Sequence, residues 1–237
     1  MKKVRPVRIR VIGPVVLGDT IPETVAHYVN AAPPGCSVDV VYLEEGPASV
    51  ESENDEALAA PGTIARVQEA ECDGVDAVVI SCLLDPGLHA ARESVRIPVL
   101  GPGQTSMHMA AMLAGDFSII TVAQSLIAPL QRRARQYGLS AFLKSIYSVD
   151  IPVLEVEANK ALARDRLLEA SRRAFEQDGA SAIVLGCTRF SGLAEEIHEA
   201  LKEEGFDLPV IDPALLCIRL AASLAFCKLS HGKGQLI

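Results

Sequence analysis

Two cysteines in this chain stand where apolar runs break off. One is Cys82 in "DAVVISCLLDPGL"; the other is Cys187 in "SAIVLGCTRF". At the end of a buried parallel strand the chain leaves the core and meets the crevice where α/β sheets hold ligands. A following helix turns its amides and the positive end of its dipole toward that crevice. Such a field lowers a thiol from its ordinary pKa of about 8.5 and makes part of it thiolate near neutral pH. With one thiol on each side of a carbon, a thiolate can remove a proton from one face while a thiol returns one to the other. That inverts a stereocentre next to a carbonyl.

Most buried cysteines are only small apolar packing groups. Repetition separates these two from the rest. "GVDAVVISCLLDPGL" can be laid on "GASAIVLGCTRFSGL" without a gap, so that Gly74, Ala77, Val79, Cys82, Gly87 and Leu88 fall on Gly179, Ala182, Val184, Cys187, Gly192 and Leu193. Further on, after a short insertion in the second copy, "IPVLGPGQTSMHMAA" falls on "LPVIDPALLCIRLAA", matching Pro98, Val99, Pro102, Ala110 and Ala111 to Pro209, Val210, Pro213, Ala221 and Ala222. Two matched blocks in one order imply a duplicated half. The expectation is two similar doubly wound parallel-sheet domains related by a pseudo-twofold axis, with the active site between them. The first half should comprise residues 1–104 plus 212–237, the second residues 105–211.

The elements that must carry the cysteines can be read from the apolar pattern. Short β-branched runs at residues 7–12, 37–43, 77–81, 99–100, 117–121, 145–148, 182–185 and 210–211 predict strands. Helical patterns lie between them, at about residues 22–30, 63–72, 86–94, 105–113, 128–137, 159–177, 193–204 and 213–228. This alternation specifies the α/β class. Asp85 followed by Pro86 reads as a helix cap and first helical residue. The acidic stretch 44–62 lacks clear periodicity and is expected to be a surface loop closing over a site.

Bulk composition narrows the partner. The chain has 237 residues, 49% of them hydrophobic, enough for a sizeable core. With 30 acidic against 22 basic side chains the net charge is -8, which disfavours nucleic acid and anionic membranes. A small-molecule substrate is expected. No apolar run approaches the roughly 20 residues of a membrane helix, and the basic-then-apolar start is interrupted by Arg8, Arg10, Gly13 and Pro14, so it reads as a first strand rather than a leader. The expected setting is cytoplasmic, as a homo-oligomer. Cys36, Cys72, Cys217 and Cys227 are scattered and no pair has CxxC spacing, so reduced thiols are expected, with no metal.

Other groups have plainer readings. "GPGQTS" from Gly101 resembles part of a phosphate loop but lacks the GK[ST] ending, so nucleotide binding is not expected there. An enolate-like intermediate would have to be stabilised by backbone amides, Thr188, Thr121 and the amides after Cys82. Ser81, Leu83, Gly186, Thr121 and Thr188 are thus the expected substrate contacts around the cysteines. His89 and His108 are expected at the surface, and Met107 and Met109 in packing between the halves. Arg189 could hold a substrate carboxylate, or equally be a solvated charge.

The stretches "ISCLLDPGLHAARE" and "IVLGCTRF", with "FSIIT" between them, resemble the aspartate/glutamate racemase superfamily, most closely its hydantoin racemase branch. Similarity extends over nearly the whole chain. The resemblance implies two similar α/β domains, a cofactor-independent site between them, and Cys82 and Cys187 as its catalytic pair. Members of this branch usually carry a Pro-Asn-Thr turn near the first strand. Here Pro14 is retained but Val15 and Val16 follow, which places apolar substrate contacts at Pro14 and Val15. The implied activity is racemisation of a 5-substituted hydantoin or related cyclic ureide by two-base proton transfer. Alternatives are isomerisation or decarboxylation of a small dicarboxylic acid, a ligand-binding relative without catalysis, and a thiol redox role for the same cysteine pair.

Overall fold

The computed structural model describes residues 5–17 and 23–233. Strands β1 (Val7–Val16), β2 (Cys36–Leu43), β3 (Ala77–Ile80) and β4 (Val99–Leu100) form one sheet in the order β2-β1-β3-β4. Strands β5 (Phe117–Thr121), β6 (Leu143–Ser148), β7 (Ile183–Leu185) and β8 (Val210–Ile211) form a second in the order β6-β5-β7-β8. Every pairing is parallel. The duplication read from the sequence is therefore repeated strand for strand. Both central pairs are buried on both faces, which is why β3 and β7 read as unbroken apolar runs.

The helices are α1 (Thr24–Asn30), α2 (Glu53–Cys72), α3 (Leu88–Ser94), α4 (Pro102–Ala114), α5 (Ile127–Gln136), α6 (Lys160–Asp178), α7 (Ala194–Glu203) and α8 (Pro213–Phe226). Pro22, where the first helix was expected to begin, lies outside the described residues. Helices α4 and α8 pack on each other, and each lies against the sheet whose strands it does not directly follow in the chain: α4 rests against β5 and β7, α8 against β1 and β3. Ala214, Cys217, Ile218 and Ala221 of α8 are fully buried in one cluster with Ile9, Val11, Ala77 and Val79. Small side chains on this face let the helix approach the sheet closely.

Three expectations are corrected. The stretch 44–62 is not all loop, because α2 begins at Glu53. Ser52 caps it by accepting the Asp55 amide at 3.2 Å, while the Asp55 carboxylate accepts from the Ser52 hydroxyl and the Glu51 amide. Glu53, Asp55 and Glu56 suit the positive end of the helix dipole. The helix buries only Ala59, Thr63, Val67 and Ala70, mostly small residues, and it contains Pro61, so its sequence carried little amphipathic signal.

The first strand also runs past Ile12 through Gly13 and Pro14 to Val16, with a register shift between Gly13 and Val16. A proline is tolerated at such an irregularity because it has no amide to give. Gly13 is needed there: a Cβ would lie 2.5 Å from the Tyr42 ring. Finally, Asp85 does not cap α3, whose N-cap is Gly87 in the left-handed region at φ 71°. Asp85 caps α4 instead.

Candidate active site

Cys82 and Cys187 each sit two residues beyond the end of a strand, β3 and β7, and both line one cavity of about 70 Å³ between the halves. A single water needs only about 10–15 Å³, so the cavity has room for a small organic molecule. Pro14, Val15, Ser81, Leu83, Gly186 and Thr188 line the same cavity. Thr121 does not. It is fully buried, and its hydroxyl donates to the Gly186 carbonyl at 3.3 Å, behind the cavity wall. Gly186 makes that wall possible: its amide bonds the Ile120 carbonyl at 2.6 Å, and a Cβ would meet that same oxygen at 2.6 Å.

The two sulfurs are held alike. Each accepts a backbone amide from two residues on, Cys82 from Leu84 and Cys187 from Arg189 at 3.4 Å. Their acidity differs from the sequence expectation. Burial pushes the Cys187 thiol up to about 11, even with the Arg189 amide and charge pulling it back. Burial raises Cys82 further, and the charges of Asp85 and Glu56 add to that rise. The dipole argument fails because α3 starts at Leu88 and α7 at Ala194, several residues past each cysteine, while a helix field fades within its first turn. Desolvation dominates. Both groups rest as thiols at neutral pH, and Cys187 is the more acidic.

Sequence reasoning missed Tyr28. Its ring lies in α1, yet its hydroxyl is buried between the two cysteine loops, 2.9 Å from the Ser81 hydroxyl and 3.1 Å from the Thr188 carbonyl. The Thr188 hydroxyl donates to the Ser81 carbonyl at 3.1 Å. Nothing local in "VAHYVN" signals this role, since every partner lies far away in the chain. Burial raises the phenol's pKa, so it keeps its proton.

The remaining lining is largely apolar. Val40 and Tyr42 come from β2, Ala48 and Val50 from the loop over the site, and Leu126 and Val153 from the second half. The 44–52 segment therefore does cover the cavity. It is fastened to the second half where the Ser125 hydroxyl donates to the Glu51 carbonyl at 2.7 Å and the Val153 amide to the Glu51 carboxylate at 3.1 Å. Arg189 borders the cavity, but its guanidinium is paired with Glu157 at 3.2 Å.

The phosphate-loop resemblance has a structural answer. The amides of Gly103 and Gln104, at the start of α4, donate to the Asp85 carboxylate at 2.9 and 2.7 Å, and the Tyr137 hydroxyl donates at 2.6 Å. The chain's own carboxylate occupies the anion-binding end of that helix. Gly101 and Gly103 permit the approach, since a Cβ would stand 2.5 Å from the Asp85 carboxylate or 2.1 Å from the Leu83 carbonyl. Burial lifts Asp85 to about 6. His89 and His108 are exposed, Met107 is fully buried in the core, and Met109 is partly buried against it. Among the described residues no group of three or more His, Cys, Asp or Glu could hold a metal ion, and no helix is long and apolar enough to cross a membrane.

A duplicated parallel α/β frame that brings one cysteine from each half to a shared cavity fits the racemase class, and with it the isomerases. Residues 11–221 match the Asp/Glu/Hydantoin racemase family, and the chain belongs to that family. It is 37% identical to a hydantoin racemase of Pseudomonas sp. (strain NS671) over 82% of this chain and 76% of that protein. It is 36% identical to a hydantoin racemase of Rhizobium meliloti over 75% and 72%. Among solved structures, the allantoin racemase from Klebsiella pneumoniae superposes with a TM-score of 0.87 at 34% identity, covering 95% of this chain and 90% of that one.

Proposed function

We propose that the protein racemises 5-substituted hydantoins or related cyclic ureides without a cofactor, by proton transfer between Cys82 and Cys187. The observation that carries this reading is the opening of both thiols, from equivalent strand ends, onto one cavity. The working units are residues 1–104 with 212–237 and residues 105–211, a division supported by the packing of α8 on β1 and β3 and of α4 on β5 and β7. A ring held between the thiols loses its C5 proton to the thiolate on one face, the negative charge moves onto the neighbouring carbonyl oxygen, and the thiol on the other face delivers a proton to C5. Backbone amides of the two cysteine loops are the nearby donors for the enolate-like oxygen, since the Thr188 hydroxyl has its one hydrogen committed to the Ser81 carbonyl. Because the transfer needs one base and one acid, the active form carries one thiolate and one thiol, and Cys187, raised only to about 11, is the first to ionise.

The lining selects among cyclic ureides. Val15, Val40, Val50 and Leu126 offer an alkyl or aryl substituent dry contact, whereas the ureido arm of allantoin would have to find its partners among the few polar lining groups, Thr24, Tyr42 and Arg189. Loss of optical rotation should be followed across hydantoins with alkyl, benzyl and polar substituents, with allantoin and aspartate as controls. Alkyl and benzyl hydantoins should racemise fastest. Absence of turnover on every hydantoin, or undiminished racemisation by Cys82→Ser or Cys187→Ser, overturns the reading.

A further inference from the structure

Thiols that serve opposite faces of one carbon need a fixed gap, because reacting atoms must lie within about 3–3.5 Å of each other and a misplacement near 1 Å is costly. Cys82 and Cys187 follow strands of different sheets, and among the described residues no strand pairing joins those sheets. Something else must hold the gap.

We propose that Tyr28 is a positioning residue that, through Ser81 and Thr188, sets the separation of the two thiols. The inference rests on the two-thiol reading. Three hydrogen bonds form a closed circuit between the loops. A carbonyl can only accept, so the Tyr28 hydroxyl donates to Thr188, and its oxygen is left to accept from the Ser81 hydroxyl. The Thr188 hydroxyl then donates to the Ser81 carbonyl, and each hydrogen is used once. Ser81 immediately precedes Cys82 and Thr188 immediately follows Cys187, so each clasped residue is one stiff planar peptide from a thiol. Helix α1, which carries Tyr28, packs on β2 and α8 and also on the turn Thr188–Phe190, so it spans both sides. Tyr28 is buried, and water cannot replace its bonds freely.

The test compares wild type, Tyr28→Phe, Thr188→Val, Ser81→Ala and Cys82→Ser on a single enantiomer of 5-benzylhydantoin in D2O. Inversion is followed by optical rotation and C5 deuterium uptake by NMR. In a correctly set site, removal of the proton by one thiol is followed by delivery of a deuteron from the other. In a mis-set site the first thiol exchanges with solvent and returns a deuteron to the same face, giving exchange without inversion. Tyr28→Phe should lower kcat for inversion by about 10- to 100-fold, leave KM within about threefold, and raise the ratio of exchange to inversion at least fivefold. Thr188→Val should raise the ratio similarly and Ser81→Ala less, which keeps the proposal open to test if one variant folds poorly. A loss of active protein lowers both rates together, so an unchanged ratio in Tyr28→Phe and Thr188→Val overturns the clasp while leaving the two-thiol reading intact. Failure of that reading shows elsewhere, as no racemisation by wild type or full racemisation by Cys82→Ser, and the clasp falls with it.

Discussion

The loops after β3 and β7 occupy equivalent places in the two halves, yet they are joined to the fold by different means. After β3, the Asp85 carboxylate reaches from the cysteine loop to the amides at the start of α4. After β7 the traffic is reversed: Asp212 caps its own helix α8 through Ala214 and Leu215, and its other oxygen accepts the Gly192 amide from the cysteine loop at 2.9 Å. Each cysteine stretch is thus tied by one carboxylate to the helix that closes its repeat, α4 or α8, supplied from opposite ends of the connection. The duplicated framework has kept its shape while its polar joints diverged. The consequence is electrostatic. An acid stands behind Cys82 and an arginine beside Cys187, so two thiols in matched backbone settings differ in acidity.

The largest test of that difference uses single serine variants. Each should lose racemisation by at least about 10³-fold, the scale of a removed acid or base. Each should still exchange the C5 proton of one enantiomer, and the two variants should choose opposite enantiomers. Cys82→Ser, which keeps the more acidic thiol, should exchange faster below pH 9. NMR of each enantiomer in D2O reads the outcome, and the same enantiomer for both variants would break the pairing of one thiol with one face.

The joints themselves can be separated by pH. Asp85 is raised to about 6 in the folded protein from an ordinary value of 3.8. The native state therefore binds more protons than the unfolded state between those values, and this group's contribution to stability is fully present below about pH 4 and lost as pH rises through 6. The loss is on the order of 3 kcal/mol at one pKa unit per 1.36 kcal/mol. Urea unfolding of wild type and Asp85→Asn from pH 4 to 7 should show that component only in wild type. Parallel curves would mean that Asp85 titrates normally.

A smaller effect should appear in thiol reactivity. Iodoacetamide at pH 8–9 should label Cys187 before Cys82, and kcat/KM should climb with pH toward about 11 without a plateau near neutrality. Arg189→Gln should slow labelling of Cys187 by severalfold and leave Cys82 unchanged, as peptide mass mapping would show. Equal labelling rates would remove the electrostatic contrast between the halves.

How much could be read in advance follows from how far each interaction reaches along the chain. The strands, their alternation with helices and the repeat of the cysteine-bearing block are written in local apolar patterns, because a strand buried on both faces needs an unbroken β-branched run wherever it lies. The first part of α2, residues 53–62 ahead of the helix expected over 63–72, escaped because it buries only Ala59 and holds Pro61. The extension of β1 through Pro14 escaped because it depends on a register shift against β2.

At the cavity, the types and positions of Cys82 and Cys187 were legible, and so were most of the residues beside them. Tertiary structure alone decided that Thr121 turns behind the wall, that Asp85 serves α4 and not α3, that Tyr28 bridges the two loops, and that burial outweighs the helix field on both thiols. Those outcomes depend on which groups meet across distant chain segments and on how completely water is shut out, and neither quantity exists until the two sheets have closed on each other.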